Sequence, residues 1–225
     1  MPGMMLGMTS PPTDLDDPEL LGVLDRARSL GFLGPGPLRV HLEHAARYEA
    51  AIRSGVARSE DSTERTWILD LGSGGGLPGI PLAYWCSDYQ VVLVEAGQRR
   101  SDFLRSAIEE LRLTATTQVA EGRAESLARS LGLRGRFDVV VSRGFGPPAL
   151  TFECAVAFVK DGGRILISEP PDRRPWPSLD LDGLRVDYSA AHPGLAAFSI
   201  AGDAAASRYP RALRTMRRSP LFDID

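Results

Sequence analysis

The sequence predicts an α/β fold built on a mostly parallel sheet of the nucleotide-binding kind, and three observations carry that prediction. A short apolar run, Ile68, Leu69 and Leu71, ends in a glycine cluster and is followed by Pro78, the pattern of strand, tight loop and helix. Further strand patterns at 90–95, 118–125 (a third strand and its exit), 136–143 and 162–168 alternate with helical patterns at 99–112 and 147–159, which implies parallel strands joined by right-handed crossovers. The last runs, 184–189 and 195–200, alternate apolar with polar or small residues around His192-Pro193-Gly194. They suit an antiparallel pair closing one sheet edge.

Length and composition agree. With 225 residues and 43% hydrophobic content the chain can bury one full α/β core, so one principal domain is expected over 61–205. Residues 1–16, rich in Met, Pro, Gly and Asp, read as disordered. Residues 17–60 read as a small helical N-terminal extension. Asp17-Pro18 is a cap followed by Pro at the first helical position, and Leu20, Val23, Leu24 and Ala27 share a face before Gly31. After the loop GFLGPGPL, a second helix over about 40–54 carries Leu42, Ala45, Ala46 and Ile52 on one side, and a polar linker follows from Gly55 to Arg65. Residues 206–225 form a basic C-terminal tail.

The formal net charge of −3 and a pI near 5.7 exclude a global basic field, so any polyanion contact has to be local. Cys86 and Cys154 lack CxxC partners and read as reduced, buried small residues. His41 and His44 stand three apart on the second helix without further ligands nearby, so they and His192 read as ordinary packed or surface histidines, and no metal is expected. No apolar run approaches the eighteen or so residues of a membrane span, and no secretory signal pattern opens the chain; the expectation is a cytoplasmic protein.

The glycine cluster is the candidate ligand site. Gly74, Gly76 and Gly79 satisfy the dinucleotide spacing, while Asp70-x-Gly72-x-Gly74-x-Gly76 gives the tighter form associated with S-adenosylmethionine. Asp70 favours the methyl donor. A carboxylate just before the loop repels a pyrophosphate and attracts ammonium and sulfonium charges. An NAD-dependent oxidoreductase stays open as the alternative. Glu95 ends the second strand 23 residues after Gly72, where its carboxylate is placed to accept ribose hydroxyls. Arg143 follows a strand that is apolar in its centre, which places a charge at the ligand crevice. Near the C-terminus, Arg208, Arg211, Arg214, Arg217 and Arg218 crowd five arginines into eleven positions, with Tyr209 available to stack on a base. They are candidates for RNA phosphate contacts.

The stretches LDLGSGGGLPGIPLA, VEAGQRRSDFL, EGRAES, FDVVVSRG and RYPRALRTMRRSPL resemble the RsmG (GidB) family, over about residues 66 to 145 plus the tail. That resemblance implies a Rossmann-like class I methyltransferase acting on guanine N7 in small-subunit ribosomal RNA, with S-adenosyl-L-methionine as cofactor and ribosomal RNA or the small subunit as partner. It further implies that Gly72 and Leu77 contact the methyl donor, that Ala124 and Glu125 lie beside the adenine, and that Arg143 lines the donor site. Two other readings remain: a methyltransferase of the same fold acting on a small molecule or another nucleic acid, suggested by the acidic Ser168-Glu169-Pro170-Pro171, and a donor-binding protein without catalysis.

Overall fold

Five strands build the parallel part of the sheet: β1 (Thr66–Leu71), β2 (Tyr89–Glu95), β3 (Thr117–Glu121), β4 (Phe137–Ser142) and β5 (Val159–Ser168). The central ones, β1, β2 and β4, are largely apolar because helices cover both faces. The computed structural model describes residues 13–55, 64–170, 176, 179–181, 183–203 and 208–222. β6 (Asp180–Leu181), β7 (Leu184–Ser189) and β8 (Leu195–Ala201) complete an eight-stranded sheet of order β3-β2-β1-β4-β5-β8-β7-β6. β3 through β5 are mutually parallel, and β8, β7 and β6 pair antiparallel. The expected hairpin is therefore present, with β8 inside against β5 and the two-residue β6 outermost. β5 starts earlier than its sequence pattern suggests, and its register against β4 shifts between Phe137 and Val139, next to the glycine pair 162–163.

The chain order reverses between β1 and β4, and a parallel sheet opens its ligand crevice at such a point, beyond the carboxyl ends of the strands. Alternation along β1 sends Ile68 to one face and Leu69 and Leu71 to the other. The Ile68 face is covered by α1 (Pro18–Ser29), α2 (Leu38–Gly55), α3 (Gly79–Trp85) and α4 (Gln98–Glu110). The side chain of Asp17 accepts from the Leu20 N–H at 3.0 Å and caps α1, and Leu20, Val23, Leu24 and Ala27 are fully buried. These helices share one core with Val91, Leu93 and Leu166, and Arg164 of β5 donates to the Ala51 carbonyl of α2 at 2.8 Å. The N-terminal extension is thus a covering layer of the sheet.

Residues 1–12 of the stretch expected to be disordered, 56–63 of the polar linker and Pro171 lie outside the described residues. Residues 14–16 are held: the Trp85 indole donates to the Asp14 carbonyl at 3.2 Å, and the Asp16 carboxylate accepts from Arg39 at 2.7 Å.

The other face is covered by α5 (Ala124–Leu127), α6 (Pro148–Val156) and α7 (Leu213–Arg218). Here the reading of the C-terminus as a tail needs correction. Tyr209 and Met216 are buried against the core that holds Phe152 and Phe198, so Tyr209 is not available to stack on a base. Arg211 clamps Glu153 of α6 through Nε at 2.8 Å and Nη2 at 2.7 Å, while its backbone N–H donates to the same carboxylate at 2.8 Å. Glu153 is 1% exposed, so the pair seals a buried acid and fastens the terminal segment. Arg211→Ala leaves that carboxylate buried and unpaired, which is expected to cost about 3 kcal/mol and lower Tm on the order of 10 °C. Thermal unfolding followed by far-UV circular dichroism checks this, and an unchanged Tm would show the segment is not held by the pair.

Candidate active site

The loops at the carboxyl ends of β1 to β4 enclose a cleft of about 510 Å³, a size suited to a drug-sized molecule. Its floor is the loop after β1. Gly72 takes φ +76°, and a Cβ there would sit 2.5 Å from the Phe145 ring, so only glycine lets the β4–α6 loop close against β1. A Cβ on Gly75 would meet the side chain of Leu33 at 2.4 Å and the carbonyl of Phe32 at 2.8 Å. Part of the glycine cluster thus makes room for the protein's own α1–α2 loop.

Six residues singled out in the sequence come together on the cleft wall: Gly72, Gly74, Leu77, Glu95, Ala124 and Arg143. Glu95, 4% exposed, accepts from the Gly74 N–H at 3.0 Å through Oε2. Its Oε1 accepts from the Gly97 N–H at 2.7 Å and from Arg100 at 2.9 Å. A carboxylate offers about four lone-pair sites, so three are taken and about one is open, on Oε2. The carboxylate latches the glycine loop to β2 and keeps one acceptor site for a ligand hydroxyl; a second hydroxyl has to displace Arg100.

Two residues differ from expectation. Asp70, expected to face cationic groups of a donor, does not line the cleft: it is fully buried, and its Oδ2 accepts the Gly79 N–H at 3.1 Å, capping α3. Burial raises its carboxyl to about 7, and its Oδ1 has no hydrogen-bond partner. The helix N-terminus expected to point at the ligand is therefore satisfied by Asp70. Glu125, expected beside an adenine, lies behind Ala124 and accepts from Arg123 at 2.7 Å.

Sequence reasoning missed the wall given by Phe32, Leu33 and Gly34 of the α1–α2 loop and by His41 in the first turn of α2. Read as an ordinary histidine, His41 is 6% exposed and bridges two walls. Arg143 Nη2 lies 2.7 Å from its Nδ1, and its Nε2 lies 3.2 Å from the Gly34 carbonyl. A guanidinium has only donors and a carbonyl only accepts, so the ring is the neutral tautomer with its proton on Nε2. Burial and the Arg143 charge both lower the His41 pKa. Burial also lowers Arg143, against the opposing pull of Tyr48 and Asp70. Tyr48 fixes the same corner by donating to the Ser142 carbonyl at 2.7 Å. The only hint in the sequence was that GFLGPGPL is too apolar for a solvated loop.

A doubly wound sheet with its cleft at the switch point and an antiparallel hairpin at one edge has the architecture of Rossmann-like methyltransferases. Solved structures agree on fold: an O-methyltransferase from Bacillus cereus in complex with SAH (TM-score 0.53, 18% identity, 84% of this chain and 91% of that one). A putative caffeoyl-CoA O-methyltransferase from Staphylococcus aureus gives TM-score 0.56 at 12% identity over 83% of this chain and 93% of that one. The family model described as GidB, rRNA small subunit methyltransferase G, matches residues 52–169, more than half of the chain; the protein belongs to this family. Curated relatives named ribosomal RNA small subunit methyltransferase G include one from Mycolicibacterium smegmatis, 42% identical over 138 residues, covering 60% of this chain and 54% of the relative. Another, from Kineococcus radiotolerans, is 45% identical over 101 residues, covering 44% of this chain and 37% of the relative. The matched stretches span about half the length of these relatives or less.

Because His41 holds Arg143 only while neutral, protonation turns its acceptor into a donor facing a cation. The groups that face it are Arg143, Arg28 and His44, the last itself lowered to about 4 by burial and by the charges of Arg143 and Arg47. The lowered His41 pKa keeps the contact intact at neutral pH and places its loss on the acid side, below about 6.5. Turnover is expected to fall there in the wild type, and about tenfold at pH 7.5 in His41→Ala. In His41→Asn, which keeps an acceptor without titrating, the acid limb should vanish; an identical limb in that variant would dismiss His41 as its source.

Proposed function

We propose that this cleft binds S-adenosyl-L-methionine and that the protein methylates N7 of a guanine in small-subunit ribosomal RNA. The observation that carries the proposal is that the family match over 52–169 encloses the loops of β1 to β4 that wall the cleft. The donor set fits such a ligand. Leu77, Val94 and Ala124 offer apolar surface for a flat ring, Glu95 keeps an acceptor site for a ribose hydroxyl, and the glycine loop brings backbone close.

When bound, S-adenosylmethionine supplies an electrophilic methyl group on a sulfonium. Guanine N7 carries an available lone pair, so the chain needs no general base to expose it. The cleft matches that demand, since both His41 ring nitrogens are engaged and Glu95 is tied to Gly74, Gly97 and Arg100. What these residues contribute is position: the Glu95 latch fixes the loop, and His41 with Tyr48 fixes the end of β4 that carries Arg143. Holding reactants in line is worth up to about 7–11 kcal/mol of barrier. Arg143, half-buried at the rim, is the residue proposed to orient the acceptor against the donor. The acid at Glu169, which suggested a small-molecule substrate, accepts a hydrogen bond from the Trp176 indole and does not line the cleft.

Calorimetry is expected to show S-adenosylhomocysteine binding that Glu95→Ala weakens by about 1.5–3 kcal/mol, on the order of tenfold to a hundredfold. Mass spectrometry of ribosomal RNA nucleosides should show 7-methylguanosine reduced in cells lacking the gene. Binding of NADH with no response to either adenosyl ligand would sink the cofactor assignment, and unchanged nucleosides would sink the substrate.

A further inference from the structure

We infer that ribosomal RNA is held by a composite arginine face, made jointly by α7 and by the connection between β3 and β4. This deepens the proposal above and rests on its RNA substrate. The sequence presents the C-terminal arginines as one run, but the structure divides them. Arg211 is turned inward onto Glu153, and Leu213 and Met216 pack on the core. With that side of α7 buried, Arg214, Arg217 and Arg218 are left exposed, at the i, i+3 and i+4 positions that share a helix face.

A second segment meets them. Arg129, exposed in the β3–β4 connection, donates to the Pro210 carbonyl at 3.3 Å, which engages one N–H and leaves its charge unneutralised by that partner. Glu125 joins the two segments near the cleft. Burial favours its neutral form, but the hydrogen bond from Arg123 and the charges of Arg123 and Arg217 hold its carboxyl below the ordinary value. Gly122 and Ala124 line the cleft on either side of Arg123, so the arginines begin at the cleft mouth and continue over α7. On a chain of net charge −3 this is a segregation of charge, the footprint of a polyanion. RNA phosphate is favoured over an acidic protein because the face adjoins the cleft that a base must enter.

The test uses the full chain and an in vitro transcript of small-subunit ribosomal RNA, with affinity measured from 50 to 200 mM salt. On single-stranded RNA, removing one arginine–phosphate pairing lowers the slope of log affinity against log salt by about 0.7. The triple variant Arg214→Gln, Arg217→Gln and Arg218→Gln should flatten the slope by about 2, and Arg129→Gln by about 0.7. The matching Lys variants keep the charge and should keep the slope, which separates charge from a disturbed tail. S-adenosylhomocysteine binding should be the same in all of them. Unchanged slopes in the Gln variants, equal flattening in the Lys variants, or wild-type binding without salt dependence would overturn the face. Labelled methyl transfer to the transcript is read in parallel. Transfer with unchanged slopes removes only the face, whereas flattened slopes without transfer keep the face and remove the methyl-transfer reading.

Discussion

A parallel sheet is stable only when both of its faces are covered, and that single constraint arranges the rest of this molecule. The central strands are apolar on both sides: Ile68, Val91 and Val139 face one layer, and Leu69, Val92 and Val140 face the other. The crossover helices α3, α4, α5 and α6 are short, from four to thirteen residues, and both chain ends complete the layers. The N-terminal helices close one face and the C-terminal segment closes the other. Segments that read as an extension and a tail are required by the core, which is why Arg211 seals an acid instead of reaching for a partner.

The same constraint shapes the cleft. Because α1 and α2 must lie on the sheet, the loop between them is carried to the carboxyl ends of β1 and β4, where it becomes a wall of the site. His41 then has little water around it and two fixed partners, a cation and a carbonyl, which select one tautomer. The acids divide their work in a comparable way. Asp70 is taken fully inside and caps the start of α3, while Glu95 stays at the rim with one acceptor site to offer. Two carboxylates at adjacent strand ends thus differ in role because one is dry and helix-bound and the other borders the cleft.

Membership in the family rests on 52–169, which is β1 to β5 with the end of α2. The α1–α2 wall and the C-terminal segment with α7 lie outside that stretch. Both touch the matched region through specific polar contacts: His41 on Arg143, Tyr48 on the Ser142 carbonyl, and Arg211 on Glu153.

The sequence by itself determined the alternation of strands and helices, the antiparallel hairpin, the glycine loop and the six cleft residues at the ends of β1 to β4. The strands, the hairpin, the glycine loop, Glu95 and Arg143 follow from local periodicity, turn chemistry and spacing along the chain, which are readable without a partner, whereas Leu77 and Ala124 were implied by the family resemblance. Only the tertiary structure decided what each charge does. Whether a carboxylate faces a ligand or a helix end, as Asp70 and Glu125 illustrate, depends on which segment packs over it. Whether a histidine is ordinary or bridges two walls depends on a contact between residues 102 positions apart, His41 and Arg143. Whether an arginine in a terminal run faces outward or is turned inward to fasten the segment depends on a buried glutamate in another helix, and such long-range electrostatics leave no period in a sequence.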